Sequence, residues 1–517
     1  MKICSSFTFI LLIIVISFLN ILGDVKLPDV LASSMVLQQN QKVPIWGTAD
    51  VGETVIISFQ KQKFTTIADQ KGKWRIDLKP LKATSKPENL IIQATNKIEL
   101  KDILIGEVWL VSGQSNMQWT LYQSNNGESE VAKANHPNIR LFNVSREVAF
   151  KKKQGKLGEW KDCNPTTVKE FSGAGYYFGV ELQKTLNVPI GLINTSYGGS
   201  QAEAWTPVEY LKANPDLVAT VERTKIWDEE RPRVKVEYAA AIEKWKVESE
   251  KQKASGLRPS PSPAVPDALR DYRVAASIYD GMIVPLIPFA IKGAIWYQGE
   301  SNEARAEQYN ILLPTMIRSW RERWGQGNYP FGIIQLPNYR QPKAEPIDEP
   351  WSFIREAQRR TSLNTPKTGL IVTIDIGDAN DIHPKNKLDV GLRMSIWALK
   401  NAYKKKLIDS PVLINYVIKS NKIELTFNEV GTGLKLTKGE KLEEFAIAGI
   451  DQKFIWAEAK IVGRNKILVW SDKIIAPKAV RYAFNNNPRN PNLTNDSGLP
   501  ASPFRTDNWE DPTKGKR

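Results

Sequence analysis

Histidine and cysteine are almost absent from this chain, with two of each in 517 residues. Catalysis that needs an imidazole base near neutral pH must therefore use His136 or His383. A zinc site built from several histidines is excluded. So is a disulfide scaffold. Acidic residues are also in deficit, 56 against 71 basic ones, for a formal net charge of +15. Apolar residues make up 42% and charged residues 25%, the balance of a folded soluble protein, which excludes disordered and collagen-like classes.

The N-terminus carries an apolar run. Met1-Lys2 precedes the stretch Phe7 to Leu22, and Gly23-Asp24 follows it. A basic start, a short apolar core and a small residue at its end predict a cleaved signal peptide over residues 1–23. The run is short for a membrane span and lacks a charged stop-transfer flank. The expected location is secreted or periplasmic, with no stable membrane span after cleavage. Cys4 leaves with the leader, so Cys163 remains as a single cysteine, read as inert because no base or motif adjoins it. The positive charge favours solubility and attraction to anionic glycans or membrane surfaces. Nucleic acid is not expected as a partner. The lysines are scattered, and the short runs Lys151–Lys153 and Lys404–Lys406 read as solvated faces.

The length predicts two or three domains. Residues 24–102 contain short β-rich segments, among them Val43–Gly47, Glu53–Phe59, Lys73–Leu78 and Asn89–Ala94, which predict a small β-sandwich. Over 103–405, apolar strand-like segments (Glu107–Ser112, Ile190–Thr195, Gly293–Tyr297, Phe331–Leu336, Gly369–Asp375) alternate with helical stretches, which predicts a parallel α/β sheet. A charged helical insertion occupies 207–275. Its stripe of Trp227, Tyr238, Ile242 and Trp245 reads as a packing face, and the Pro/Ser-rich stretch Arg258–Pro263 as a loop. Residues 406–517 return to β signals and end in an Asn/Pro-rich tail expected to wrap back over another domain.

Polar motifs follow four of the predicted strands. Gly113-Gln-Ser-Asn116 puts a serine just past a strand end, where α/β sheets bind ligands. Met117 stands where a Gly-x-Ser-x-Gly elbow needs glycine, so the usual α/β-hydrolase elbow is absent. Taken alone, Ser115 could equally be a helix cap. Asp375-Ile-Gly-Asp-Ala-Asn-Asp-Ile-His-Pro384 gives His383 three nearby carboxylates, Asp375, Asp378 and Asp381. A serine nucleophile needs a base, and the base needs an orienting acid. His136 has no such supply and reads as structural. Asn194-Thr-Ser-Tyr-Gly-Gly-Ser200 offers close backbone approach, and Trp296-Tyr-Gln-Gly-Glu-Ser-Asn302 offers the Gln298 amide.

Together, Gly113–Asn116, Tyr197–Ser200, Trp296–Asn302 and Asp381-Ile-His-Pro384 resemble the blocks of the SGNH (GDSL-like) hydrolases. They are most similar to the sialate O-acetylesterase branch of the carbohydrate esterases. Val43–Gly47 and Leu499–Trp509 also resemble segments of that branch. The resemblance implies a flavodoxin-like parallel sheet with helices on both faces, flanked by N- and C-terminal β-sandwich-like regions. It implies Ser115 as nucleophile, His383 as base, and an oxyanion hole from the N–H groups of Ser115 and Gly199 with the Gln298 side chain. The family's acid stands three residues before the histidine. Here that residue is Asn380, so Asp381 is expected to serve, with Asp378 or a backbone carbonyl as alternatives. The implied partner is an O-acetylated sugar or glycan, with 9-O-acetylated sialic acid first and acetylated xylan or xyloglucan second. No cofactor and no metal are implied.

Two other classes compete. A glycosidase would pair carboxylates such as Glu300 and Asp381. A non-catalytic carbohydrate-binding protein would explain the β regions and aromatics, but not Ser115 with His383. Trp119 and Trp205, close behind two of the motifs, are candidates for stacking on a sugar face.

Overall fold

The computed structural model describes residues 24–149 and 155–517. The predicted leader 1–23 and the run Lys151–Lys153 lie outside the described residues. The fold is mixed α/β, with one large mixed sheet and further β-sheets in the C-terminal third.

Six strands form the parallel part of the large sheet: β1 (Lys97–Gly113), β2 (His136–Asn143), β3 (Ile190–Asn194), β4 (Gly293–Tyr297), β5 (Phe331–Ile334) and β6 (Thr368–Ile371). Their order is β6-β5-β4-β1-β3-β2, with Trp160–Cys163 antiparallel at the β2 edge. β1 is central, flanked by β3 on one side and β4 on the other. It is buried without interruption from Ile103 to Gly113, as a strand covered on both faces must be.

Five long helices surround the sheet: α1 (Gly173–Leu186), α2 (Pro215–Ala254), α3 (Ala306–Trp324), α4 (Pro350–Asn364) and α5 (Lys387–Asn401). Alternation along the strands separates two aromatic layers. Trp109 of β1 meets Phe178 of α1 and Trp397 of α5. Trp296 of β4, on the opposite face, meets Trp205 and Trp320 of α3. Helices thus cover both faces.

The N-terminal strands do not stand apart from this sheet. β1 is one continuous strand, and its first half pairs antiparallel with Thr84–Gln93 and parallel with Val36–Gln38. The expected boundary at residues 102 and 103 therefore falls inside a strand. Beyond α5, two four-stranded sheets form, one around Lys422–Asn428 and one around Phe445–Ala448. The tail does wrap back. Glu349, at the start of α4, accepts from the backbone N–H of Asn486 at 2.7 Å, and Thr513 accepts from the N–H of Glu307 at 2.9 Å.

The insertion is a 40-residue helix, α2, and its return loop covers the aromatic stripe. The indole of Trp245 donates to the Ser260 carbonyl at 2.8 Å, and the Tyr238 hydroxyl to that of Pro263 at 3.5 Å. The stripe is a packing face. Among the described residues, no helix is long and apolar enough to cross a membrane.

Candidate active site

The site forms at the carboxyl ends of β1, β3 and β4, where the chain runs to either side of the central strand and leaves a crevice. Gly113 ends β1 at φ 138°, and a Cβ there would lie 2.1 Å from the Tyr297 carbonyl oxygen, so only glycine fits. The turns are knitted together by backbone. The Gln114 N–H donates to the Tyr297 carbonyl and the Tyr197 N–H to the Gly113 carbonyl, both at 2.9 Å. Ser115 opens a single helical turn, Ser115–Gln118, whose first N–H groups have no intrahelical acceptor.

Ser115 and His383 are 268 positions apart in sequence, yet Ser115 Oγ lies 2.9 Å from His383 Nε2. The imidazole is stacked on the Trp119 indole, with ring centroids 5.1 Å apart and planes 17° apart. Burial lowers the His383 pKa and Lys387 lowers it further, while Asp381 opposes both; the net shift is downward. The ring is therefore neutral, and able to accept a proton, near neutral pH.

The three aspartates separate. Asp375 is bound by Arg393 at 2.6 Å, and Asp378 accepts the Asn380 N–H at 2.8 Å. Asp381 is the carboxylate beside the histidine. Its Oδ1 accepts the backbone N–H of His383 at 2.9 Å and lies 3.6 Å from Nδ1.

Gly199 sits at φ 73°, and its carbonyl is held by Nε of Arg273 at 3.3 Å. Its N–H has no acceptor among the described residues, whereas that of Gly198 is taken by Gln118 Oε1 at 2.7 Å. The expectation for Gln298 is corrected. Both of its amide hydrogens are committed, to the Ser200 carbonyl at 3.2 Å and to Asn302 Oδ1 at 2.7 Å, and its Oε1 accepts from the Tyr309 hydroxyl at 2.8 Å. The side chain is fully buried. It braces the Tyr197–Ser200 turn from below and has no hydrogen left for an oxyanion.

The tryptophans also separate. Trp205 has no exposed surface and packs among Trp296 and Trp320, so it cannot stack on a sugar. Trp119 reaches the site through its stack on His383. His136 lies at the sheet edge with Nε2 3.2 Å from the Tyr176 hydroxyl. Burial pushes the Cys163 thiol up to about 12, which leaves it unreactive.

Some of the machinery was given no role from the sequence, or a different one, although Asn116 and Glu300 lie within the motifs. Asn116 Nδ2 donates to Glu300 Oε1 at 2.7 Å and to the Ile382 carbonyl at 3.0 Å, and its Oδ1 accepts from Lys387 Nζ at 2.7 Å. One amide thus ties the turn bearing Ser115 to the residue before His383. Burial brings Glu300 up, and Lys387 down, to about 7. Glu300 is buried, with Oε1 held by Asn116. Tyr272, from the return loop of the insertion, stacks on Tyr197 at 5.0 Å, and a Cβ on Gly199 would lie 3.4 Å from its ring. Glu203, fully buried just after the glycine turn, binds Arg305 and Arg223 at 2.6 Å each. Arg223 belongs to α2, so the helical arm is anchored to the site.

The family described as "Carbohydrate esterase, sialic acid-specific acetylesterase" matches residues 105–256 and 268–396, more than half of the chain. The chain belongs to this carbohydrate esterase family. Among solved structures, a carbohydrate acetylesterase from Xanthomonas citri is similar at 35% identity with a TM-score of 0.78, over 94% of this chain and 100% of that one. A protein named sialate O-acetylesterase from Homo sapiens is 27% identical over 522 residues, 91% of this chain and 90% of the relative. The one from Mus musculus is 28% identical over 438 residues, 76% of this chain and 77% of the relative. The matched residues run from the middle of β1 to α5 and span every site residue named above. As a carbohydrate esterase, the protein is a hydrolase acting on esters.

Proposed function

We propose that the protein removes O-acetyl groups from sugars through an acyl-enzyme on Ser115. The observation that carries this is the 2.9 Å contact between Ser115 Oγ and His383 Nε2. His383 takes the hydroxyl proton as Oγ attacks the acetyl carbonyl. The N–H groups of Ser115 and Gly199 stabilise the oxyanion. The bond from the acyl carbon to the sugar oxygen breaks, and His383 returns the proton to that oxygen. Water then adds to the acetyl-enzyme by the same route, releasing acetate and restoring Ser115. Asp381 anchors the His383 backbone and stabilises the imidazolium through its charge.

In this reading, residues 103–405 carry the catalytic unit, an SGNH-type, flavodoxin-like sheet whose strand β1 is shared with the N-terminal strands. Residues 24–102 and 406–517 are β-rich flanks, and residues 1–23 direct export. The relatives named sialate O-acetylesterase support an O-acetylated sialic acid as substrate, and the 9-O-acetylated form is our first choice. The Xanthomonas citri relative, more similar and covered end to end, is named as a carbohydrate acetylesterase without a stated sugar, which leaves acetylated xylan or xyloglucan as the second reading. Acetate release from O-acetylated sialoglycan and from acetylated xylan separates the two. In either assay Ser115→Ala abolishes release while the fold persists. Turnover within tenfold of wild type in that variant overturns the mechanism.

A further inference from the structure

The six-stranded core has a cavity at the opposite pole from Ser115. Its lining includes residues just ahead of β4, β5 and β6, namely Lys292, Asn328 to Pro330, and Lys367. The site described above lies at the carboxyl ends of the strands. The cavity holds about 380 Å³, the size of a monosaccharide-scale ligand.

Its lining is one-sided in chemistry. It contains Lys292, Lys367 and Lys404 and no Asp or Glu. None of the three lysines forms an ion pair among the described residues, whereas Lys400, one turn before Lys404, is paired with Asp409 and Glu429. Lys292 is held over the Tyr403 ring at 4.8 Å. One further donor in the lining, the indole N–H of Trp397, has no acceptor among the described residues. The indole keeps its place because Gly369 has no side chain; a Cβ there would lie 1.9 Å from Trp397 Nε1. An acceptor that brings negative charge fits three ammonium groups without ion-pair partners and an indole N–H without an acceptor.

We propose that this cavity is a second binding site for an anionic sugar, whose carboxylate or phosphate oxygens are taken by Lys292, Lys367 and Lys404 with the Trp397 indole N–H. The site is separate from the esterase centre. It gives a reason for part of the chain's positive charge beyond solubility.

Calorimetric titration of the full chain with glucuronate, glucose 6-phosphate and neutral glucose tests this. The expected result is saturable binding of at least one anion, weakening with added salt, and none for glucose. Tighter binding of glucuronate identifies a carboxylated sugar, and of glucose 6-phosphate a phosphorylated one. The double variant Lys292→Gln/Lys367→Gln should weaken binding at least tenfold and leave turnover of 4-nitrophenyl acetate within twofold of wild type. Ser115→Ala should bind the anion unchanged. Failure of both anions to bind, or equal binding by the lysine double variant, overturns the proposal.

Discussion

The carboxylate of Asp381 lies 3.6 Å from His383 Nδ1, while it accepts the backbone N–H of the same residue at 2.9 Å. The acid thus grips the histidine by its main chain more closely than by its ring. Its side chain is also 44% exposed, so solvent screens its charge. These features set a limit on what Asp381 contributes. In a buried triad, replacing the aspartate by asparagine costs about 10⁴ in kcat. Asp381→Asn keeps a backbone acceptor, and the expected loss of kcat is well short of that figure. Steady-state kinetics on an acetylated sugar give the answer, and a loss of the full triad size would mean that the ring contact tightens when substrate binds.

The pH profile carries a sign that can be checked. The pKa of His383 is lowered from the usual imidazole value of about 6.5. The base is active when neutral, so kcat/KM should hold through neutral pH and fall on acidification with a midpoint below that value. Asp381 opposes the downward shift, so Asp381→Asn should move the acid limb to still lower pH. An acid limb above pH 7, or one unmoved by the substitution, would contradict this electrostatic account.

Gln298 should behave as a brace. Gln298→Met strands the Ser200 carbonyl, Asn302 and the Tyr309 hydroxyl in a buried setting. A stability loss of at least about 1–3 kcal/mol is expected in denaturant unfolding. An oxyanion donor would instead cost about 10²–10³ in kcat with stability intact, and that pattern would restore the role expected from the sequence.

Tyr272 reaches the site from the insertion and stacks on Tyr197 beside Gly199. Together the two rings form an aromatic wall suited to a sugar ring. Tyr272→Ala should raise KM several-fold for an acetylated oligosaccharide and leave KM for 4-nitrophenyl acetate unchanged. Equal effects on both substrates would reduce Tyr272 to packing.

Glu203 is the tie between the helical arm and the site. Burial pushes its pKa up, but Arg305 and Arg223 outweigh that, and the net shift is downward. Its contribution to stability is therefore complete at neutral pH and is lost as the pH falls through its depressed pKa. Glu203→Ala leaves two arginines without their carboxylate and should cost about 3–5 kcal/mol, read as a lower unfolding midpoint.

Much of this arrangement was legible in the chain itself. The continuous apolar run of β1 and the polar residues just past β1, β3 and β4 gave the parallel sheet and the position of the site. This works because strand burial and glycine-dependent turns are local properties, written in consecutive residues. The scarcity of histidine reduced the possible base to His383 once His136 lacked a carboxylate supply.

Other properties were decided only by tertiary structure. The N-terminal strands share β1 with the catalytic sheet, a pairing set by long-range register that no local boundary signal records. Gln298 had the chemistry of an oxyanion donor, but its hydrogens are spent on Ser200 and Asn302. Whether an amide is free depends on its neighbours in space. Trp205 likewise had the type and spacing of a sugar platform, and close packing placed it in the core. Asn116, Glu300 and Lys387 come from three distant segments, and their shared network exists only where burial brings them together. The sequence by itself determined which groups could do chemistry, because residue type fixes donors, acceptors and nucleophiles. The tertiary structure decided which of them are free to act, because that depends on what else each group is already bonded to.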